Sequence, residues 1–383
     1  MYIRSNNKPD IIIIGAGIIG LSIAYNLLEI DPKLSITLLE KEKLLGIGST
    51  GKCTGSISYQ LSSPLQRRLS LLSRDFFRNF DAVFDTPSWY WEKGHLLLAD
   101  NEGLLKDLQS ISVQADADNI PMNLMNQEEL QREFPYLHRD RFLGGAFCSW
   151  DAYADPYAVL AALYSVVRRK GVGVYFEHEV RKIIIDGDTI KGVETRQGVF
   201  QSPLVVNAAG PHAAQLAEMS GLTLKIQPYR RQVYVCTNPK DVPKASPTIM
   251  DLSSGFYLHQ ETSGKTVLLG GTDKYTWPGL QETVDKSVAE DFFMTTMEII
   301  PSTLDIKWLR TYTGLCELTP DFHPIVGEAS GLKGMFFANG FSGHGFMHAP
   351  AIGRILADLI LKGSTDQIDA SLLHPDRFLK ENP

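Results

Sequence analysis

The segment DIIIIGAGIIG, from Asp10 to Gly20, limits the folds open to this chain more than any other stretch: four apolar residues run directly into G-x-G-x-x-G and then into an apolar helical pattern. A buried strand therefore turns tightly at Gly15 and Gly17, and Gly20 lets the following helix approach the sheet. The start of that helix, at Ile18 and Ile19, offers backbone N–H groups to a pyrophosphate. A second apolar run, SITLLE, ends on Glu40, twenty residues beyond Gly20. A carboxylate there accepts the two hydroxyls of an adenosine ribose and repels a 2′-phosphate. Strand, glycines, helix, strand and acid in that order read as a dinucleotide-binding β-α-β unit, with Lys41 beside the acid. The unit leaves open which dinucleotide and which reaction.

The glycine-rich loop that follows, Gly46 to Lys52, falls at the C-terminal edge of the sheet, where open α/β folds bind ligands. Leu65, Leu69, Leu72, Phe76, Phe77 and Phe80 predict a helix over 62–80. Trp89 to Leu98 reads as a short strand pair, and Asn101 to Phe134 as two helices, the second opening at Asn126 with Glu128 and Glu129 in its first turn. Asp155 and Pro156 are a cap and first residue of a helix that ends near Gly171. The stretch 177–207 reads as three strands joined by DG and QG turns, then an apolar run, Leu204 to Asn207. That run ends in Ala208-Ala209-Gly210, a small-residue corner suited to close approach by a cofactor. Residues 222–319 alternate as strands, with a helix from Thr283 to Ile299, and read as a β-rich wall over the cofactor.

Near the C-terminus a second strand, glycine turn and helix recur: Met335 to Ala338, Gly340 to Gly345, and a helix from Ala349 whose first turn carries Pro350. Only 22 residues follow Leu361, so this unit cannot begin another dinucleotide domain and must pack back onto the first. A flavin dinucleotide, FAD, is long enough to need both ends. The expected fold is α/β with a β-rich domain: a discontinuous Rossmann-like FAD-binding domain (1–75, 145–220 and 320–383) and a substrate domain built on a mixed or antiparallel sheet (76–144 and 221–319).

A formal charge of -7 argues against nucleic acid or anionic lipid as a bulk electrostatic partner. Arg67-Arg68 and Arg168-Arg169-Lys170 read as solvated helix ends, while Arg230-Arg231 stays open. No apolar run is long enough to cross a bilayer, and the polar start MYIRSNNKPD does not read as a signal peptide. Cys53, Cys148, Cys236 and Cys316 lack C-x-x-C spacing, so neither a disulfide framework nor a metal site is expected, and a reducing cytoplasmic setting is the default.

Through DIIIIGAGIIG, GIGSTGK, DPY, LVVNAAGPHA, LTPDFHPIVG and GFSGHGFMHAPAIG the chain resembles, over nearly its whole length, the D-amino acid oxidase superfamily of FAD-dependent oxidoreductases, nearest to the β subunits of sarcosine oxidase and of archaeal dye-linked L-proline dehydrogenase. The resemblance implies FAD and oxidation of a C–N bond by hydride transfer to flavin N5. It places Ser49, Thr50 and Lys52 over the pyrophosphate and ribityl chain, Val180 at the adenine, and Gly343, His344, Gly345, Phe346 and Met347 along the flavin, with Met347 beside its reactive face. Ala209, Gly210 and Gly314 complete the expected cofactor contacts. Gly314 stands where monomeric sarcosine oxidase carries its flavin-linking cysteine, and Cys316 is two positions off, so noncovalent FAD is expected. Cys316 and Gly343 stand where glycine oxidase carries carboxylate-binding arginines, and Ser58 replaces the arginine expected after the loop.

The lysine credited with oxygen activation in sarcosine oxidase falls near Leu268 and the active-site histidine near Thr272. Without a cation over the flavin, superoxide formation loses electrostatic help, which favours a dehydrogenase. Tyr257 and Arg310 are the candidate groups for a substrate carboxylate, and His344 a candidate base; His348 and His259 have no assigned direction. The expected reaction is dehydrogenation of a small secondary or D-amino acid, sarcosine-like or proline-like, with electrons passing to a carrier or partner subunit in a homo- or hetero-oligomer. An oxidase of the same substrates, an oxidoreductase of a hydroxy acid or glycerol phosphate, and an electron-relay subunit remain alternatives.

Overall fold

The structure, a computed structural model, describes residues 8–271 and 276–378. Its first layer is a six-stranded sheet in which Ile11–Ile14 lies between Ile36–Leu39 and Val205–Asn207, all parallel. Met335–Asn339 continues the parallel order beyond Val205–Asn207, and Ile325–Glu328 closes that edge antiparallel. Gly173–Tyr175 closes the other edge. The period-2 alternation of the central strand sorts the two cores. Ile11 and Ile13 face the layer of helices Ile18–Ile30, Pro64–Arg78, Pro156–Arg169 and Gly345–Lys362. Ile12 and Ile14 face a three-stranded meander, Val180–Asp186, Thr189–Thr195 and Gly198–Gln201, through Ile183, Val193 and Phe200.

The return of the C-terminal unit onto the first is direct. Helices Ile18–Ile30 and Gly345–Lys362 pack together, and Ser22 Oγ donates to the Ala349 carbonyl at 2.8 Å across 327 residues of sequence. The second helix starts at Gly345, four residues before the expected Ala349, which leaves Pro350 inside it. A proline there removes one bond of the helical ladder, and side chains of the neighbouring helices bind the backbone on either side of it: Ser22 donates to the Ala349 carbonyl, and the Ala351 N–H donates to Ser73 Oγ at 3.2 Å.

The second layer is an eight-stranded mixed sheet in the order Trp308–Leu318, Gln227–Thr237, Thr266–Gly270, Tyr257–Gln260, Thr248–Asp251, His95–Ala99, Gly144–Cys148, Met122–Asn126. Its outer face packs Leu96, Ile249, Leu258 and Leu269 against helix Ala289–Ile299. Strand Gly144–Cys148 lies in this sheet, so the boundary expected at 144/145 runs through it, and the 75/76 boundary cuts helix Pro64–Arg78. The outermost seven and five residues of the expected FAD-binding segments, 1–7 and 379–383, fall outside the described residues.

Three local expectations fail for identifiable reasons. The stretch 89–98 contributes one strand, His95–Ala99, because Trp91 makes only an isolated bridge to Tyr153. Between the two expected helices lies a strand, Met122–Asn126, with one buried residue, Met125, so no alternation announces it. The helix expected from Thr283 begins at Ala289, since Asp285 accepts from both the N–H and the hydroxyl of Ser287, a local turn that competes with helix. Arg67 is not solvated: it is buried, donating to Asp118 at 2.8 Å and to the Leu61 carbonyl. Among the described residues no helix is long and apolar enough to cross a membrane, and the four cysteines are free.

Candidate active site

A cleft of about 1490 Å³ runs between the two sheets, larger than the roughly 300–1,000 Å³ of common small-molecule sites. Its nucleotide end is made from backbone. Gly15 has φ +108°, and a Cβ there would stand 2.4 Å from the Ala208 carbonyl oxygen. Gly20 does not line the cleft; a Cβ on it would meet the Gly15 carbonyl at 2.0 Å, so its part is to let helix Ile18–Ile30 seat under the turn. That helix opens at Gly17 without a side-chain cap, and its first turn lines the cleft through Ile18 and Ile19. Thr50 Oγ1 accepts from the Ile18 N–H at 3.1 Å, which fixes the Gly46–Lys52 loop over the helix end.

Glu40 is oriented by two backbone donors, Ala16 N–H to Oε2 and Glu42 N–H to Oε1, both at 2.9 Å, and each oxygen keeps acceptor capacity for a ribose hydroxyl. Lys41 lines the cleft but pairs with Glu42 at 3.1 Å. Val180, Ala209 and Gly210 complete the wall at this end.

Toward the middle, Ser49 Oγ donates to the Leu315 carbonyl at 2.8 Å, tying the loop to strand Trp308–Leu318. Lys52 lies with its stem against Gly314, and its ammonium is ion-paired with Glu282. The second glycine turn lines the same cleft from Gly343 to Met347, and helix Gly345–Lys362 opens at His344 without a side-chain cap, so a second set of first-turn N–H groups faces it. Met347 is buried, and its sulfur accepts from the Ser58 N–H at 3.2 Å. Ser58 thus holds Met347 where the resemblance leads one to expect an arginine.

His344 lines the cleft, stacked on His348 at 5.5 Å, and burial pushes its imidazole down to about 4. His348 is also driven well down by burial and shares a hydrogen bond of 3.1 Å with Ser70, away from the cleft. Both rings are therefore neutral near pH 7.

The substrate-facing wall is one face of the eight-stranded sheet. Tyr257 and His259 project from strand Tyr257–Gln260, with the Tyr257 ring over Gly270. The Tyr257 hydroxyl has no hydrogen-bond partner among the described residues, and burial raises its pKa well above the usual phenol value. His259 Nδ1 meets Thr248 Oγ1 at 2.8 Å, its Nε2 is buried without a partner, and burial pushes it down to about 3.

Arg310 is not in this wall. It is exposed, its guanidinium 5.8 Å from the Tyr312 ring centroid, in a shallow hollow with Trp308 and Thr311. Arg310 pairs with Val235, whereas Arg231 pairs with Gly314 one end of the strand nearer the flavin turn. Arg231 is the arginine that lines the cleft; its guanidinium makes one hydrogen bond, to the Arg230 carbonyl at 3.3 Å, and no ion pair among the described residues. It lies close enough to Tyr257 and Cys316 to favour their charged forms. Leu268 is buried with Val233 and Val235, and Thr272 lies outside the described residues.

The two glycine turns, each followed by a helix start whose own N-cap residue adds no side-chain bond and sharing one long cleft, define a flavin dinucleotide-binding oxidoreductase, and the residues present fit FAD. Residues 10–359 match the family of FAD dependent oxidoreductases abbreviated DAO, and the chain belongs to it. It is 27% identical to the FAD-dependent oxidoreductase domain-containing protein 1 of Bos taurus over 97% of this chain and 85% of that protein. It is also 27% identical to the mitochondrial dimethylglycine dehydrogenase of Homo sapiens, over 98% of this chain but 45% of that longer protein. Among solved structures, the L-proline dehydrogenase of P. horikoshii superposes with a TM-score of 0.89 at 27% identity, covering 97% of this chain and 98% of that one.

Proposed function

We propose that this chain is an FAD-dependent dehydrogenase of a small amino acid, oxidising the C–N bond of a secondary or D-amino acid of sarcosine-like or proline-like size. The observation that carries the reading is Arg231, a cleft-lining guanidinium without an ion pair among the described residues, in the same wall as the unpartnered Tyr257 hydroxyl. A guanidinium binds a carboxylate in two parallel hydrogen bonds, and the phenol adds a third donor. Leu97, Val233 and Met347 add apolar surface that helps to exclude water. The bound cofactor supplies a hydride acceptor at flavin N5. The chain's contribution is to hold the α C–H over it by the carboxylate and to keep the amine neutral. Similarity to proteins named dimethylglycine dehydrogenase and L-proline dehydrogenase supports the substrate class.

A dehydrogenase is preferred to an oxidase because Lys52 is neutralised by Glu282 and the position near Leu268 is apolar. Electrons then leave to a carrier or a partner subunit. The test is anaerobic mixing of the FAD-loaded protein with sarcosine, L-proline and D-amino acids. Bleaching of the flavin band by one of them, with turnover sustained by a dye and not by oxygen, is the expected result; a yellow protein that no amine bleaches defeats the proposal.

A further inference from the structure

Behind the substrate wall stands a buried polar cluster that none of the roles above uses. Asp151 is fully buried in the turn between strands Gly144–Cys148 and Ala152–Tyr153. Three donors converge on its carboxylate, the Tyr59 N–H at 2.7 Å and the Ser58 hydroxyl and Gln60 Nε2 at 2.9 Å, and His95 Nδ1 stands at ion-pair distance from it, 3.1 Å. The other nitrogen of the same imidazole, Nε2, meets Ser56 Oγ at 3.1 Å. Chain order gives no hint of this grouping. Ser56 comes to Asp151 through a short antiparallel ladder, Ser56–Ile57 on Ala152–Tyr153, and His95 comes through its pairing with Cys148. Ser56 and His95 line the cleft, and Asp151 does not.

A carboxylate oxygen 3.1 Å from Nδ1 favours the tautomer with its proton on Nδ1, which leaves Nε2 bare toward Ser56. Ser56 then donates to Nε2 and turns its lone pairs to the cleft. We infer that Ser56, His95 and Asp151 form a proton relay that takes the ammonium proton of the amino acid substrate before its C–H bond is broken. The inference rests on the amine reading above. In the step, the substrate N–H bond breaks as a Ser56 O–H bond forms, and the former Ser56 proton moves to His95 Nε2. The resulting imidazolium is ion-paired with the Asp151 carboxylate, and both electrons of the broken N–H bond stay on the nitrogen as its lone pair. That lone pair is what a departing hydride needs from the adjacent carbon. His344 and His259 are poorer candidates, since burial holds each neutral to about 4 and about 3.

The titratable and charged groups around the relay are few. His259, two strands away, is held low by burial first and then by His95 and by Lys93 of the preceding loop, and Lys93 lies 3.9 Å over the Trp91 ring. Cys148 sits across the strand pair, and burial lifts its thiol out of the titrating range. Tyr153 packs on His259 at 4.8 Å, with burial pushing its phenol up to about 12.

The test measures the rate of anaerobic flavin reduction against pH for the FAD-loaded wild type, Ser56→Ala and His95→Gln, using sarcosine and L-proline. A free amine titrates on the order of pH 10, as lysine does, so without the relay the rate climbs toward that pH. The wild-type rate levels off earlier, and both variants displace the rising limb upward by about one pH unit or more, with roughly tenfold slower reduction near neutrality and convergence at high pH. Variants that reduce the flavin with the wild-type pH profile overturn the relay while leaving the amine reading standing. Failure of every amine to reduce wild type overturns both. An independent readout needs no turnover: in ¹⁵N imidazole spectra, with the signal assigned by its loss in His95→Gln, His95 is the Nδ1–H tautomer and changes in Asp151→Asn. An Nε2–H tautomer in wild type overturns the relay.

Discussion

The nucleotide end of the cleft and its substrate wall are built from different materials. At the nucleotide end, contacts come from main chain: a glycine turn, an uncapped helix start and two N–H groups that orient Glu40. At the substrate wall they come from side chains, Arg231, Tyr257, His259 and His95, delivered by three strands and brought together only by register. A backbone site tolerates no added atoms. A side-chain site tolerates exchange and so can be retuned to another substrate. The two ends should fail differently when altered, and that difference can be measured.

The largest effect is expected at the backbone end. Gly15→Ala puts a methyl group 2.4 Å from the Ala208 carbonyl oxygen at φ +108°, and backbone strain of this kind alone costs about 1–3 kcal/mol. The variant is expected to purify without its yellow colour and to melt several degrees lower, as read by the visible spectrum and by thermal unfolding. A yellow, stable Gly15→Ala protein would break the contrast between the two ends.

The wall predicts the opposite pattern, with cofactor content intact and substrate capture lost. A hydrogen bond to a charged group is worth about 1.5–3 kcal/mol, and every 1.4 kcal/mol is about tenfold, so Arg231→Leu should lower kcat/KM for a carboxylate substrate roughly ten- to a hundredfold. Arg310→Leu, outside the cleft, should change it less than about twofold, as surface substitutions do. Equal losses in the two variants would return the carboxylate site to Arg310.

The same contrast explains what could be read from the chain. Gly15, Gly17, Gly20, Glu40 and the turn from Gly343 to Met347 were legible because local spacing fixes backbone geometry, and backbone geometry is what they supply. Arg231 was not. Neighbouring residues on a strand point to opposite faces, and nothing in YRRQVYV says whether Arg230 or Arg231 looks inward. The pairing of Arg231 with Gly314 decides it. Arg310, two turns of the alternation away on the partner strand, was the carboxylate candidate in the sequence, and register sets it at the exposed end. The grouping of Ser56 with His95 and Asp151 was hidden for a further reason: Ser56 joins it through a two-residue ladder, Ser56–Ile57 on Ala152–Tyr153, too short to carry a pattern. The strand Met122–Asn126 was missed on similar grounds, as an edge with one buried side chain.

The strand Trp308–Leu318 belongs to both ends, and its buried acid offers the smallest and most specific test. Cys316 looks toward Gly343, and the next residue, Glu317, is 9% exposed; its carboxyl is pushed up to about 7 by burial, against a smaller opposing effect of the Phe341 N–H. Its value in the unfolded chain is near 4.5, so the unfolded state releases this proton first as pH rises. The native state is then penalised: stability is fully present below about pH 4.5 and falls as pH climbs through about 7. Glu317→Gln keeps the shape and removes the titration, so its melting temperature should lose this downward slope while the wild type keeps it. The measurement is thermal unfolding from pH 4.5 to 8 at fixed, saturating FAD. Parallel profiles would mean that Glu317 is reached by water or shares its charge with the cofactor turn. The strand would then belong with the retunable wall and not with the rigid backbone end.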